Sequence, residues 1–268
     1  MSRRNKWPTL AGVAILILLM PAVSFAQDPE VTSDGLGLLD FFQNADQTVS
    51  PDSISNTLLI FFLLTVLTLA PSVLVMTTSF TRIIVVFGFL RQAMATQQSP
   101  PNQVLVGLAL FLTAFIMKPT YERVYNESLQ PYMNGEITSF EEAWDSGLKP
   151  IRDFMFLQIE KNPKDLALFI EISQLDQEEI IIPETPDDVS TWVLIPAFII
   201  GELRAAFILG FVIYIPFLII DMVVASTLMA MGMMMLPPVF VSLPFKIILF
   251  VLIDGWYLLI GSLVRSFY

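Results

Sequence analysis

Residues 216–238 read Pro216-Phe-Leu-Ile-Ile-Asp-Met-Val-Val-Ala-Ser-Thr-Leu-Met-Ala-Met-Gly-Met-Met-Met-Leu-Pro-Pro238. Asp221 is the only charge between Ala205 and Phe245. Five of the chain's 13 methionines, Met229, Met231, Met233, Met234 and Met235, crowd its end. Pro237 and Pro238 supply no N–H and restrict the residues before them, so the helix is expected to stop there and leave the methionines on a bend or loop. Unbranched, polarizable Met side chains suit a deformable seal that closes on itself or moulds to a partner. Flexible packing inside a helical core is the other reading of the same composition. Irregular backbone at membrane depth is tolerated only where protein buries it or where it lines a water-filled space.

The surrounding third, from Trp192 onward, is apolar but cut by Glu202, Arg204, Asp221, Lys246, Asp254 and Arg265 and by Pro216, Pro237, Pro238 and Pro244, which predicts several interrupted helices. A lone Asp221 costs several kcal/mol in hydrocarbon, on the order of 3, unless it meets a partner, a cavity or water. Glu202 and Arg204 are two apart and project about 200° from one another on a helix, so they cannot pair. Lys246 and Asp254 lie about 12 Å apart along a helix and cannot pair either. Contacts between helices or between subunits are the economical expectation for Glu202, Arg204, Asp221, Lys246 and Asp254. The alternative places these charges at membrane boundaries, in headgroups or water.

Toward the amino terminus, Arg3, Arg4 and Lys6 precede an apolar run from Leu10 to Met20 and then Ser24-Phe25-Ala26, the order of a signal peptide cleaved after Ala26. The run is shorter than a bilayer span. Residues 27–57 hold six acids and no base and read as an acidic extracytoplasmic leader. Residues 58–117 form a first apolar helical hairpin. Its polar turn, Gln97-Gln-Ser-Pro-Pro-Asn-Gln103, reverses the chain, and Arg82 and Arg91 mark the cytoplasmic side. Arg91, Gln97, Gln98, Pro100 and Pro101 are thus assigned to a cytoplasmic-side turn, which either caps two helices or docks a partner. Residues 118–190, with 16 acids against 6 bases, read as a water-facing extracytoplasmic insert that includes a helix-like piece from Asp165 to Ser173. Residues 191–268 form a second apolar helical region.

The whole chain supports a mainly α, multi-pass, membrane-targeted protein built of helical hairpins. It has 268 residues, 55% hydrophobic and only 15% charged, with mean hydropathy +0.70, against roughly 25% charged in soluble domains. A net charge of −11, deepening to −14 without the signal segment, and the lack of any basic run disfavour nucleic acid. There is no Cys and no His. That removes disulfides, thiol nucleophiles, imidazole bases and nearly every zinc or haem ligand set, so no metal or cofactor is assigned. Ser262 and Ser266 have no base to activate them, no Gly-rich phosphate loop follows a strand, and no enzymatic reaction is assigned.

Two stretches, Phe89 to Leu112 and Pro216 to Pro238, closely resemble the FliP/SctR family of flagellar biosynthesis proteins. The resemblance continues through Pro196-Ala-Phe-Ile-Ile-Gly-Glu-Leu-Arg-Ala-Ala-Phe207 and Leu243-Pro-Phe-Lys-Ile-Ile-Leu-Phe-Val-Leu-Ile-Asp-Gly-Trp256, covering most of the chain from about Leu58. It departs where the family often has a hydroxyl residue at Gly201 and Lys at Arg204. The resemblance implies a type III export gate subunit of the bacterial inner membrane and flagellar basal body. It further implies a ring of five copies, FliQ-like and FliR-like gate partners, a FliO-like assembly factor and unfolded export substrates. It implies that Met231, Met233, Met234 and Met235 form a pore gasket, and that the hairpins of the finished gate stack into a cone raised largely above the bilayer plane.

Four rivals stand beside this reading, one of them a passive assembly scaffold that differs from the gate only in whether its pore conducts. An injectisome subunit would use the same architecture. A small-molecule or ion transporter would line its path with the buried charges and show inverted halves, which are not visible. An intramembrane hydrolase needs a nucleophile with a base, and neither His nor Cys is present.

Overall fold

The computed structural model describes residues 61–268 other than 63, 66, 70, 74, 97, 98, 176–184 and 234. The expected signal segment 1–26 and leader 27–57 lie outside the described residues. The chain divides into two compact units, Met1–Leu74 and Val75–Tyr268. In the first unit the described residues between 61 and 73 are helical, and Phe61, Phe62, Leu67 and Leu69 are exposed. Thr65 and Thr68 hide their hydroxyls by donating to the carbonyls of Phe61 and Leu64, each at 2.8 Å, which lets a hydroxyl sit on an apolar helix without an unsatisfied donor.

The second unit is helical throughout, with no strand among the described residues. Helix α1 (Phe80–Ala93) reverses at Pro100-Pro101 into α2 (Asn102–Ile116). A 57° bend leads into α3 (Lys118–Val124), a π-helical turn (Tyr125–Leu129) and α4 (Gln130–Met133). Then come α5 (Phe140–Ile159) and α6 (Pro163–Ser173). A 3-10 turn at Pro186–Asp188 precedes the 40-residue α7 (Thr191–Ala230). Helix α8 (Pro238–Leu252) follows, and α9 (Gly255–Arg265) leaves it at 65°.

Helix α7 is the element on which the others are arranged, with α1 along it most extensively and α5, α6 and α8 beside it. Its buried residues Leu194, Phe198, Glu202, Ala206 and Gly210 recur every four positions, a ridge that winds slowly around the helix. Small residues at 206 and 210 let α1 approach closely: a Cβ on Gly210 would stand only 2.4 Å from Phe89 Cδ2. The facing side of α1 buries Ile83, Val86, Phe87 and Leu90, and α2, α8 and α9 add Leu105, Phe250 and Leu263. A second core joins α5 to α7 through Met155, Ile159, Leu194, Ala197 and Phe198.

One expectation changes. The acidic insert packs its helices α5 and α6 on the first half of α7. The breaks expected in the last third at Pro216 and Pro244 do not occur: α7 runs through both Pro196 and Pro216, and α8 through Pro244. Each proline deletes one backbone hydrogen bond, but in apolar surroundings no water competes for the rest of the ladder, so the helix persists. Interruption falls instead at the bent α2–α3 and α8–α9 joints. Among the described residues α7 is the one helix long and apolar enough to cross a membrane, and up to three segments qualify if each bent pair is one span.

Candidate functional site

The methionine loop is built by a helix cap. Helix α7 ends at Ala230 because Gly232 adopts φ +73°, a left-handed conformation that glycine tolerates. The N–H of Gly232 then donates to Met229 O and that of Met233 to Leu228 O, both at 3.0 Å, the paired bonds that close a helix C-terminus. The helix therefore stops before the double proline, contrary to the expectation that Pro237 and Pro238 stop it. Pro238 instead opens α8 at its first position, where a missing N–H costs nothing. Between the helices Met231 and Met233 are exposed and Met235 is 98% exposed; Met234 lies outside the described residues.

Two charge clusters flank the hairpin that carries this loop. In the first, Glu202 of α7 accepts from Arg82 of α1 in a bidentate fork, Oε2 from Nε at 2.9 Å and Oε1 from an outer nitrogen at 2.5 Å. Both side chains are buried, at 4% and 1% exposure. Arg82 also donates to the carbonyl and Oγ of Ser266, both at 2.9 Å, and to Gln158 Oε1 at 3.2 Å, while Phe267 covers its guanidinium at 3.9 Å. Gln158 completes the ring of partners by donating to Phe267 O at 3.0 Å. The buried charge is thus paired, hydrogen-bonded and stacked, the conditions under which burial is tolerated. At its edge Lys161 donates to Ser266 O at 2.8 Å. Burial pulls the Lys161 ammonium below the ordinary lysine pKa and the Arg82 charge pulls the same way, against the raising effect of Glu202.

In the second cluster, Lys246 of α8, 2% exposed, donates to Asp221 Oδ2 of α7 at 2.6 Å and to Ala93 O at 3.0 Å. Ala93 is the last residue of α1, so the ammonium also meets the negative end of that helix. Ser242 donates to Asp221 Oδ1 at 2.5 Å. Arg204, on the opposite flank from Glu202, reaches Asp165 of α6 at 2.6 Å.

The structure therefore brings Glu202, Arg204, Asp221 and Lys246 into pairs between helices of one chain. Asp254 is not among them. It is exposed, holds a left-handed φ of +52° and stands at the N-cap position of α9 without a side-chain cap bond, and it has no ion pair among the described residues. At the expected cytoplasmic-side turn, Arg91 donates to Asn102 Oδ1 across the reversal and Pro101 caps α2, while Gln97 and Gln98 lie outside the described residues. Sequence reasoning did not assign Arg82, Gln158 or Asp165 to these clusters. Arg82 had the one available signal, a base at the edge of a long uncharged run, but its partner stands 120 residues away.

A helical, membrane-associated protein with internally paired charges and an exposed methionine loop is the class that this fold and site define. The profile of the FliP family matches residues 63–263. The flagellar biosynthetic protein FliP of Bacillus subtilis (strain 168) is 51% identical over 226 residues, covering 84% of this chain and 99% of that protein. Those of Caulobacter vibrioides and Pectobacterium carotovorum are 47% and 48% identical, over 95% and 96% of this chain and 88% and 92% of theirs. The chain belongs to the FliP family.

Proposed function

We propose that the chain is a core subunit of the flagellar type III protein export gate, forming with further copies the pore through which unfolded flagellar proteins leave the cell. The observation that carries this is the methionine loop: flexible thioether side chains, exposed in the single chain, at the tip of an apolar hairpin whose two arms are pinned by Asp221 and Lys246. Around a shared axis Met231, Met233, Met234 and Met235 would close against ions and yield to a passing polypeptide. The charge pairs would fix the hairpin while the tip deforms. A five-membered ring, FliQ-like and FliR-like neighbours, a FliO-like assembly factor and a multi-pass inner-membrane location belong to the same proposal. The flagellar names of the relatives favour this system over an injectisome.

Replacing Met233, Met234 and Met235 together by Gly tests the seal. Ion conductance of membranes containing the assembled gate should rise while assembly with the partners is kept. Unchanged conductance in an assembled gate removes the pore reading and leaves the family assignment standing.

A further inference from the structure

Of the charges in residues 191–268, Glu202, Arg204, Asp221 and Lys246 find ion-pair partners within the chain. The other two, Asp254 and Arg265, are exposed and have no ion pair among the described residues. They stand at opposite ends of α9, at its N-cap and at its last residue. Their spacing of eleven positions corresponds to roughly 16 Å along a helix and only about 20° around it, so they share one face. Asp254 joins that face because the N–H of Leu258, one turn on, donates to its carbonyl at 3.1 Å. Between the two charges the face carries Leu258, Gly261 and Ser262. Leu258 is 51% exposed, Ser262 is exposed, and a Cβ on Gly261 would meet nothing within 4 Å. The opposite face, with Gly255, Leu259 and Leu263, is buried.

The charges select the kind of occupant. The dipole of α9 favours an acid at its start and a base at its end, but it neither requires them on one face nor supplies either with a counter-ion. Hydrocarbon can cover Leu258 and Gly261, yet it offers nothing to the two charges beside them. The face fits a surface with a base opposite Asp254, an acid opposite Arg265 and an apolar strip between. Gly261 and Ser262 are small enough for a helix backbone to come close there. The α9 of a second copy carries the right charges but would have to lie antiparallel. Neighbours in a ring about one axis differ by a rotation well short of a half-turn, so the ring proposed above does not present α9 that way. On that one point the inference rests on the ring, and the occupant is a different chain.

We propose that the outer face of α9 docks an apolar helix of another protein, one that carries a base and an acid about eleven residues apart on a single face. The base pairs with Asp254 and the acid with Arg265. The apolar residues between them pack on Leu258 and across Gly261 and Ser262.

The full chain in detergent is titrated with a synthetic Leu/Ala helix bearing Glu and Lys at that spacing, and bound peptide is read by native mass spectrometry. One control peptide has the same composition with the two charges at about half the spacing, hence on different faces. A second has Gln at both sites. The matched peptide is expected to bind about tenfold more tightly than either control. Asp254→Asn combined with Arg265→Gln should erase that preference, and Asp254→Lys should transfer it to a peptide with Glu at both sites. Gly261→Leu should abolish it by filling the face, whereas Lys118→Gln on α3 should leave it unchanged. Equal binding of the three peptides overturns the proposal and leaves the face to lipid or water. A preference that survives both the neutralised chain and Gly261→Leu overturns it as well. A dimer of the chain alone that Gly261→Leu dissolves gives the face to a second copy, which is a third way for the proposal to fail. Should the neutralised chain fail to fold, Gly261→Leu carries the test, with helicity and melting temperature as its folding controls. Ion conductance of the assembled gate plays no part in these readouts, so the pore reading is judged separately.

Discussion

The two halves of α7 have much the same apolar composition and opposite surroundings. From Leu194 to Gly210 one face is buried at every fourth position against α1, α5 and α6, and two ion pairs leave it for other helices. From Phe211 to Ala230 only Phe217 and Leu228 are buried, and the one charge, Asp221, is returned to α8. In the first half the hydrophobic residues meet protein, and the polar ones are there because partners meet them. In the second half the apolar surface awaits lipid or another subunit. A uniformly greasy helix can thus lie under protein along one half and keep a wide exposed apolar face along the other.

The sharpest way to break this contrast is Glu202→Ala, which strands a buried Arg82. The loss should be about 3–5 kcal/mol, read as a fall in melting temperature in detergent. Arg82→Met combined with Glu202→Met should lose much less than either single change; equal losses would mean that the pair is not the organising contact. In the bare half the corresponding effect should be smaller and asymmetric. Asp221→Ala leaves a 2% exposed ammonium with only Ala93 O and should cost about 2–3 kcal/mol. Lys246→Met leaves a 29% exposed carboxylate that keeps the Ser242 hydroxyl as a donor and should cost about 1 kcal/mol.

Packing gives the next step down. Gly210→Ala drives a methyl into the Phe89 ring and should cost about 1–3 kcal/mol, partly recovered by Phe89→Leu. Gly107→Ala on α2, where a Cβ meets nothing, should be neutral or slightly stabilising by the same melting assay. Smallest is Gly201→Ser, which offers a hydroxyl to Asp165 Oδ2 and should add about 0.5–1 kcal/mol; a destabilised variant would show that the oxygen is satisfied by other means.

Much of this was legible in the residues. Pro100 and Pro101 mark a true reversal, and the helix expected over Asp165–Ser173 begins two residues earlier at Pro163. The spacing of Glu202 and Arg204 already required separate partners, and they have them. The partners themselves were not legible, because Arg82 and Glu202 stand 120 residues apart and Asp221 and Lys246 stand 25 apart. Nor was the end of α7: two prolines look like a stop, whereas a single glycine able to take a positive φ ends the helix five residues sooner.

Sequence by itself determined that the chain is helical, apolar, free of Cys and His, and furnished with a methionine cluster beside a double proline, because composition and short-range spacing act within a few residues. Only the tertiary structure decided which charges neutralise one another, which half of α7 is covered, and that Asp165 keeps an unfilled oxygen beside Gly201. Those outcomes depend on which helices lie side by side, and the electrostatic cost of a buried group is set by neighbours in space.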